Sequence, residues 1–438
     1  MQVRESAAGD RYPEHSTSAH QRFGTAHRDE WESPKAMLRL VIATAVAALC
    51  LITPQGLITP QAVAQPIYPE PDPDPFYATP AGLDRAAPGE VLAVRPMPGL
   101  IAFPGARVTM VKFRSTNSAG EPIAATTTVL TPPNAAPGGP LLSYQHIINA
   151  LGTHCAVSRV LYTSDPNLAV REAPALNALL LRGWSVTLPD HLGPTSAYGA
   201  AKLGGMITLD GIRAARRVAE LGLADSRVTM LGYSGGGMAT TWAAALAPTY
   251  APELPIIGAA AGGVPMNLVK MIEGLGYAPH AAFGLAFAAA IGLEREYPAR
   301  LPVSDYLNSA GLSFRDRIAD SCTNEILLAG AGRGIVDVAA SHSLAEDERA
   351  RGVLEENSLE LYEGIPAAPV YQWRAEHDAL IPVDSIDATV RRYCEAGVPV
   401  QYEKFSSPDH LSTAVLGVPS ALAWLEARFY GVPAPSNC

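Results

Sequence analysis

The chain has 438 residues, of which 48% are apolar and 17% charged, and it carries a formal net charge of -10. That balance supplies ample material for a buried core and excludes a disordered chain; the negative charge, with no lysine- or arginine-rich cluster to offset it, excludes a nucleic-acid partner. The length fits one large α/β domain with an insertion, or two domains.

Residues 1–35 are polar, mixed in charge and without apolar periodicity, so no packed structure is expected of them. Met37-Leu38-Arg39 then opens an apolar run over residues 40–52 that is too short to span a bilayer but sized for a signal-peptide core. Ala62-Val63-Ala64 is a small-x-small cleavage site. Residues 1–64 therefore read as an extension plus signal peptide, with Met37 a candidate initiator. The mature chain is expected to start near Gln65, after Ala64, and to be secreted or held in the cell envelope. Leu-Ile-Thr-Pro-Gln occurs at 51 and again at 57, a local duplication. Cys50 follows Leu49 rather than the small residue that lipoprotein processing wants, which argues against a lipid anchor. Removal of the signal leaves Cys155, Cys322, Cys394 and Cys438, an even number in an exported chain, so two disulfides are expected; three connectivities satisfy the spacing.

Residues 65–75, rich in proline and aspartate, read as an extended leader. Apolar runs at 108–114 and 123–130 flank Asn117-Ser118-Ala119-Gly120 and predict an antiparallel hairpin. Residues 141–144 form a short buried strand ending in the loop 145–155. A helix over 173–182, a strand over 184–188 and a helix over 209–221 follow, and then the run 228–231. Residues 256–261 make another strand, ending at Gly262-Gly263. The alternation predicts a mostly parallel sheet with helices on both faces. It stops over residues 268–364, which hold an apolar small-residue helix at 281–293 and then polar helices. That stretch is too long for a loop and reads as an inserted helical cap between two parts of an α/β core, 65–267 and 365–438. In the second part, 369–373 is a strand, 385–396 a helix, 399–405 a strand and 412–429 the last helix.

Between the strand at 228–231 and the small-residue helix after it stands Gly232-Tyr233-Ser234-Gly235-Gly236. A Gly-x-Ser-x-Gly corner joining strand to helix is a nucleophile elbow, in which the serine takes a strained backbone angle and side chains at Gly232 and Gly236 would collide as the helix passes the strand. The alternative is an ordinary strand-to-helix turn in a glycine- and alanine-rich chain. An α/β hydrolase orders its triad as Ser, acid, His. Asp378, just past the strand at 369–373, is the expected acid, with Glu376 the second choice; Asp384 and Asp387 begin the next helix, where capping is the simpler job. His410, after the last strand, is the expected base, and Asp409 beside it points elsewhere. His146, His154, His191, His280 and His342 precede the acid and read as loop or surface histidines, and His377 adjoins it. One oxyanion donor is the backbone N–H of Gly235, and the second comes from the loop after the strand 141–144. No metal or organic cofactor is expected, because no His/Cys cluster stands at zinc spacing and no glycine-rich phosphate loop is present.

With these residues placed, the sequence resembles the secretory lipase family, the fungal lipase A type. The resemblance is carried by Asp74-Pro75-Phe76-Tyr77, Ser143-Tyr144-Gln145 with Cys155 ten residues on, Asp190-His191 followed by Gly193, and Leu209-Asp210-Gly211-Ile212-Arg213-Ala214. The elbow, Tyr250-Ala251-Pro252-Glu253-Leu254 and Gly262-Gly263 complete the set. It implies a capped α/β hydrolase acting on carboxylic esters of acyl chains, with Ser234, Asp378 and His410 as triad and bridges Cys155 to Cys322 and Cys394 to Cys438. In this chain Asn149 stands where the family has an aspartate as second oxyanion donor, with its backbone N–H to serve. The fungal enzymes also continue into a C-terminal flap, whereas this sequence ends at Cys438. The expected partner is a lipid or other ester, with a lipid-water interface as a candidate contact and no obligate protein partner. The competing readings are an acyltransferase using the same triad, a serine peptidase of the prolyl-oligopeptidase kind, which would want an amino-terminal propeller, and a non-catalytic envelope binding protein. The helix at 281–293 is expected to pack inside the cap rather than to lie on lipid, because small residues line most of its circumference.

Overall fold

The computed structural model describes residues 65–275, 278–340 and 347–438. The signal-peptide reading, the pentapeptide repeat, Cys50 and His342 lie outside the described residues. Nine strands form one sheet: β1 (Val91–Met97), β2 (Arg107–Thr116), β3 (Pro122–Thr131), β4 (Leu141–Gln145), β5 (Ser185–Pro189), β6 (Val228–Tyr233), β7 (Ile256–Gly262), β8 (Val370–Ala375) and β9 (Val400–Phe405). Their spatial order is β1-β2-β3-β5-β4-β6-β7-β8-β9. β1, β2, β3 and β5 pair antiparallel, and from β5 onward every pair is parallel. Every residue of β4, β5, β6 and β8 is buried, the continuous apolar signature of strands covered on both faces. β1 was not among the expected strands. It lies at the sheet edge, is mostly half-exposed and contains Pro96, all of which blur the alternation by which a strand is recognised.

The longer helices, taken in chain order, are α1 (Ala173–Leu180), α2 (Ala201–Arg217), α3 (Ser234–Tyr250), α4 (Leu268–Leu275), α5 (Phe283–Glu296), α6 (Ser309–Ile318), α7 (Thr323–Gly330), α8 (Glu348–Glu356), α9 (Val383–Glu395) and α10 (His410–Phe429). Apolar residues of α2, α3 and α9 join one core cluster, and those of α1 and α10 join a second, as expected of a sheet wrapped on both sides. The chain between β7 and β8 runs through α4 to α8, and among its described residues none adds a strand to the sheet.

α2 starts eight residues before the expected 209. Gly204 and Gly205 discourage a helix locally, yet here they let two helices touch: a methyl on Gly205 would come within 2.8 Å of the Trp242 Cβ on α3, and one on Gly204 within 3.2 Å of the Ala239 Cβ. Asp384 and Asp387 do not cap α9, whose N-cap is Pro382 without a side-chain bond. Asp384 instead accepts from Lys270 Nζ at 2.7 Å, and Asp387 accepts a two-pronged bond from Arg374 at 2.9 and 3.0 Å.

Two bridges close the fold, Cys155–Cys322 and Cys394–Cys438. The first ties the loop after β4 to the turn before α7. Arg295 on α5 reinforces that junction. It is 4% exposed. Its guanidinium donates to the carbonyls of Ile67, Leu151, Thr195, Ser196 and Ala319, so leader, post-β4 loop, post-β5 loop and insertion converge on one cation. Burial pulls its pKa down to about 10, which still leaves it charged at neutral pH.

Candidate active site

The parallel register sets where the site forms. Gln145 lies opposite Gly232, Tyr233 opposite Gly262, and Gly262 opposite Trp373, so the loops leaving β4, β6, β7 and β8 emerge together at the carboxyl ends of the strands. Ser234 is at the first position of α3, directly after β6, with φ of 51°, one of two non-glycine residues in the left-handed region among the described residues. Its neighbours permit that strain. A methyl on Gly232 would come within 2.4 Å of the Gly236 carbonyl oxygen, and one on Gly236 within 2.1 Å of the Gln145 carbonyl oxygen. The tight turn therefore needs both glycines, as expected.

His410 Nε2 lies 3.0 Å from Ser234 Oγ, and His410 Nδ1 lies 2.7 Å from Asp378 Oδ2. The other Asp378 oxygen accepts from the backbone N–H groups of Leu380 at 2.9 Å and Ile381 at 3.1 Å. Burial alone would raise the Asp378 pKa. The bond and the charge of His410, together with those two N–H groups, overcome it and hold the carboxyl below its usual value. The side chains of His410 and Asp378 are only 6% and 1% exposed, so the ring and its carboxylate are shielded from competing water. Glu376 and His377 are exposed beside them. His410 opens α10 rather than sitting on a loop, and Asp409 is the cap of that helix, accepting from Ser412 N at 2.8 Å.

Two further residues support the ring without having been singled out for it. Tyr233 lies 5.0 Å from the His410 ring, centroid to centroid, and its hydroxyl donates to the His410 carbonyl at 2.5 Å. Gly263, with φ of 51°, leaves the space both rings use, since a methyl there would come within 2.5 Å of Tyr233 and 2.8 Å of His410 Cε1. The only sequence signal for either was its place in a motif, the x of Gly-x-Ser and the second glycine of Gly262-Gly263.

Two of the remaining histidines are not surface residues. His146 is buried and paired with Glu172, and His191 is buried with Nε2 3.0 Å from the His146 carbonyl. Burial pushes the His191 pKa down to about 4, and burial pushes the adjoining Asp190 up to about 6 despite two bonds from Ser158. His154 lies 3.5 Å from both sulfurs of the Cys155–Cys322 bridge. Those cysteines are joined to each other, so the trio is no metal-ligand set.

Asn149, Ser234 and Gly235 line one cavity of about 80 Å³, whose other walls are mostly aliphatic and include Ala286, Ala289 and Leu293 of α5. α5 thus turns Phe283, Phe287 and Ile291 into the core, with Phe287 stacked 4.8 Å from Phe314, and its small-residue side toward the serine. A larger cavity of about 290 Å³, bordered by Tyr77, Lys112 and Asp190, touches none of Ser234, Asp378 or His410.

Ser234, His410 and Asp378 thus stand in one hydrogen-bonded line at the carboxyl edge of this sheet, with Ser234 beside an apolar cavity. Residues 168–437 match the family described as secretory lipase. The chain belongs to the secretory lipase family. Among curated members, a protein of Mycobacterium tuberculosis named "Probable inactive lipase" is 35% identical over 83% of each chain. Lipase A of Arthroderma benhamiae is 33% identical over 88% of this chain and 84% of its own. The closed-state structure of Candida antarctica lipase A superposes with a TM-score of 0.78 at 28% identity, covering 85% of this chain and 89% of that one. A rice cell wall degrading esterase of Xanthomonas oryzae, at 16% identity and a TM-score of 0.60, shares the fold. The solved structures show the α/β-hydrolase fold, and the family with its lipase A relative gives carboxylic ester hydrolysis as the activity of the group.

Proposed function

We propose that this secretory lipase is an active serine carboxylic ester hydrolase that works through an acyl-enzyme on Ser234. The observation that carries the reading is the unbroken relay from Ser234 Oγ through His410 to Asp378, at 3.0 and 2.7 Å. His410 Nε2 takes the serine proton as Oγ bonds to the acyl carbon, and the carbonyl electron pair moves onto oxygen. His410 then returns that proton to the departing alcohol, and water repeats the sequence to release the acid. Asp378 holds the ring in the tautomer with Nδ1–H and stabilises the imidazolium. Gly235 N–H and Asn149 form the side of the site that meets the oxyanion.

The division into a core of residues 65–267 and 365–438 with a cap of residues 268–364 accords with the break in strand–helix alternation, and export after removal of residues 1–64 accords with the secretory family. The substrate class is a lipid-like ester. The mostly aliphatic walls around Ser234 suit the acyl chain of such an ester. The test is a p-nitrophenyl ester series together with a fluorophosphonate probe on the mature chain. Turnover and stoichiometric labelling, both lost in Ser234→Ala, are expected. A folded protein that neither turns over an ester nor takes the probe would place it with its inactive-named relative and end this reading.

A further inference from the structure

Three observations meet at Asn149. Its backbone N–H does not face an empty site but donates to Thr323 Oγ1 at 3.2 Å. Among the described residues its side-chain Oδ1 is buried without a hydrogen-bond partner. That same oxygen abuts the residue after the serine, because a methyl on Gly235 would come within 2.4 Å of it. The side-chain amide, rather than the main chain, is therefore the part of Asn149 that borders the reacting centre.

An amide oxygen is the wrong group there, since it would repel the negative charge that develops on the acyl oxygen. Its own NH₂ is the right one and has the same shape, so a half-turn about χ2 exchanges a repelling acceptor for two donors. Among the described residues nothing bonds the Asn149 Nδ2, so the exchange breaks no hydrogen bond. The backbone is fixed from outside. Thr323 is the first residue of α7 in the insertion, next to Cys322 of the bridge to Cys155, and Leu151 N also donates to Ser321 O at 3.0 Å. The segment 321–323 thus grips the post-β4 loop at Asn149, Leu151 and Cys155.

We propose that Thr323 is a positioning residue for the oxyanion hole: it takes the Asn149 backbone N–H and so aims the Asn149 side-chain amide at the oxyanion, where Nδ2 joins Gly235 N–H as donor. This rests on the reading of Ser234 as the nucleophile. The inserted helices then do more than wall the cavity, for they assemble half of the charge-stabilising machinery.

The experiment measures kcat and KM on p-nitrophenyl butyrate, and inhibition by a trifluoromethyl ketone, for the mature chain and its Asn149→Ala, Thr323→Val and Thr323→Ser variants. Asn149→Ala keeps the backbone N–H and removes only the side chain. It should lower kcat by about 10²- to 10³-fold with little change in KM, and weaken the ketone in parallel. Near-normal kcat in that variant would overturn the side-chain assignment. Thr323→Val should lower kcat by roughly tenfold, a part of a full donor's worth, and Thr323→Ser, which keeps the hydroxyl, should restore it. Equal kcat for Val and wild type would remove Thr323 from the machinery, as would a Ser variant as impaired as Val. Should the Val variant fail to fold by circular dichroism, Thr323→Ala takes its place against Ser under the same criterion. Wild-type protein without ester turnover or probe labelling overturns the inference together with the reading beneath it, whereas turnover that is indifferent to Asn149→Ala overturns the inference alone.

Discussion

At the residue scale the site depends on which protonation states the fold prefers. Asp378 is held ionised by the ring and two backbone N–H groups, so its contribution to stability is present above the usual carboxyl value of 3.8 and is lost as pH falls through its lower folded value. Asp378→Asn should lower kcat by about 10⁴-fold, the cost of the wrong imidazole tautomer, and Glu376→Gln should leave it near normal because Glu376 is exposed and His410 Nδ1 is paired with Asp378. Steady-state rates on one ester check both; a near-normal Asp378→Asn would return the acid to Glu376. His191 and Asp190 pull stability in opposite directions. The His191 pKa falls from 6.5 to about 4, so its unfolded form binds the proton more readily and stability is lost as pH drops through that window. Asp190 rises from 3.8 to about 6, so its folded form binds the proton more readily and stability is lost as pH climbs. His191→Gln removes one of the two. The gap between its urea midpoint and that of wild type should be smaller at pH 4.5 than at pH 7.5, and an unchanged gap would mean that the imidazole is not held neutral by burial.

At the element scale α5 does two jobs with two faces. Its far end holds Arg295, where five carbonyls from four segments converge on one guanidinium. Arg295→Met strands those acceptors in a dry site, and leaving several buried groups unpaired should cost at least about 3 kcal/mol in urea unfolding. A loss below that would mean that water replaces the cation. The small residues of the other face set the width beside Ser234. Ala289→Phe should reduce kcat/KM for butyl and longer acyl esters more than for acetates, and an equal effect across the series would take that face out of acyl recognition. The elements themselves were largely legible from the sequence. Buried strands announce themselves as apolar runs, and the elbow by glycines whose spacing only that turn requires. β1 and the first half of α2 were not legible, because a proline-bearing edge strand and a Gly-Gly helix start look unstructured until the partner that makes them favourable is known.

At the scale of the whole molecule, covalent closure and the insertion act together. Under the chain-entropy account, a bridge spanning 167 residues is worth about 5 kcal/mol and one spanning 44 about 4 kcal/mol, before any strain. Removal of Cys155–Cys322 by paired serine substitutions should therefore lower the melting temperature and, because the bridge anchors the loop carrying Asn149, also lower kcat. Removal of Cys394–Cys438, which joins α9 to the chain end, should lower the melting temperature and spare kcat. Equal catalytic loss in both double variants would show the effect to be general loosening.

The sequence by itself determined the buried strands from β2 onward, the elbow at Ser234 and the late positions of Asp378 and His410, because apolar periodicity and glycine sterics operate within a few residues of one another. Only the tertiary structure decided that His410 reaches both partners, that Asp387 pairs with Arg374 instead of capping a helix, that His146 and His191 are buried, and that Thr323 holds Asn149. Those are contacts between groups 13 to 176 residues apart. Their distances follow from how sheet, helices and insertion pack, and no short stretch of chain encodes that.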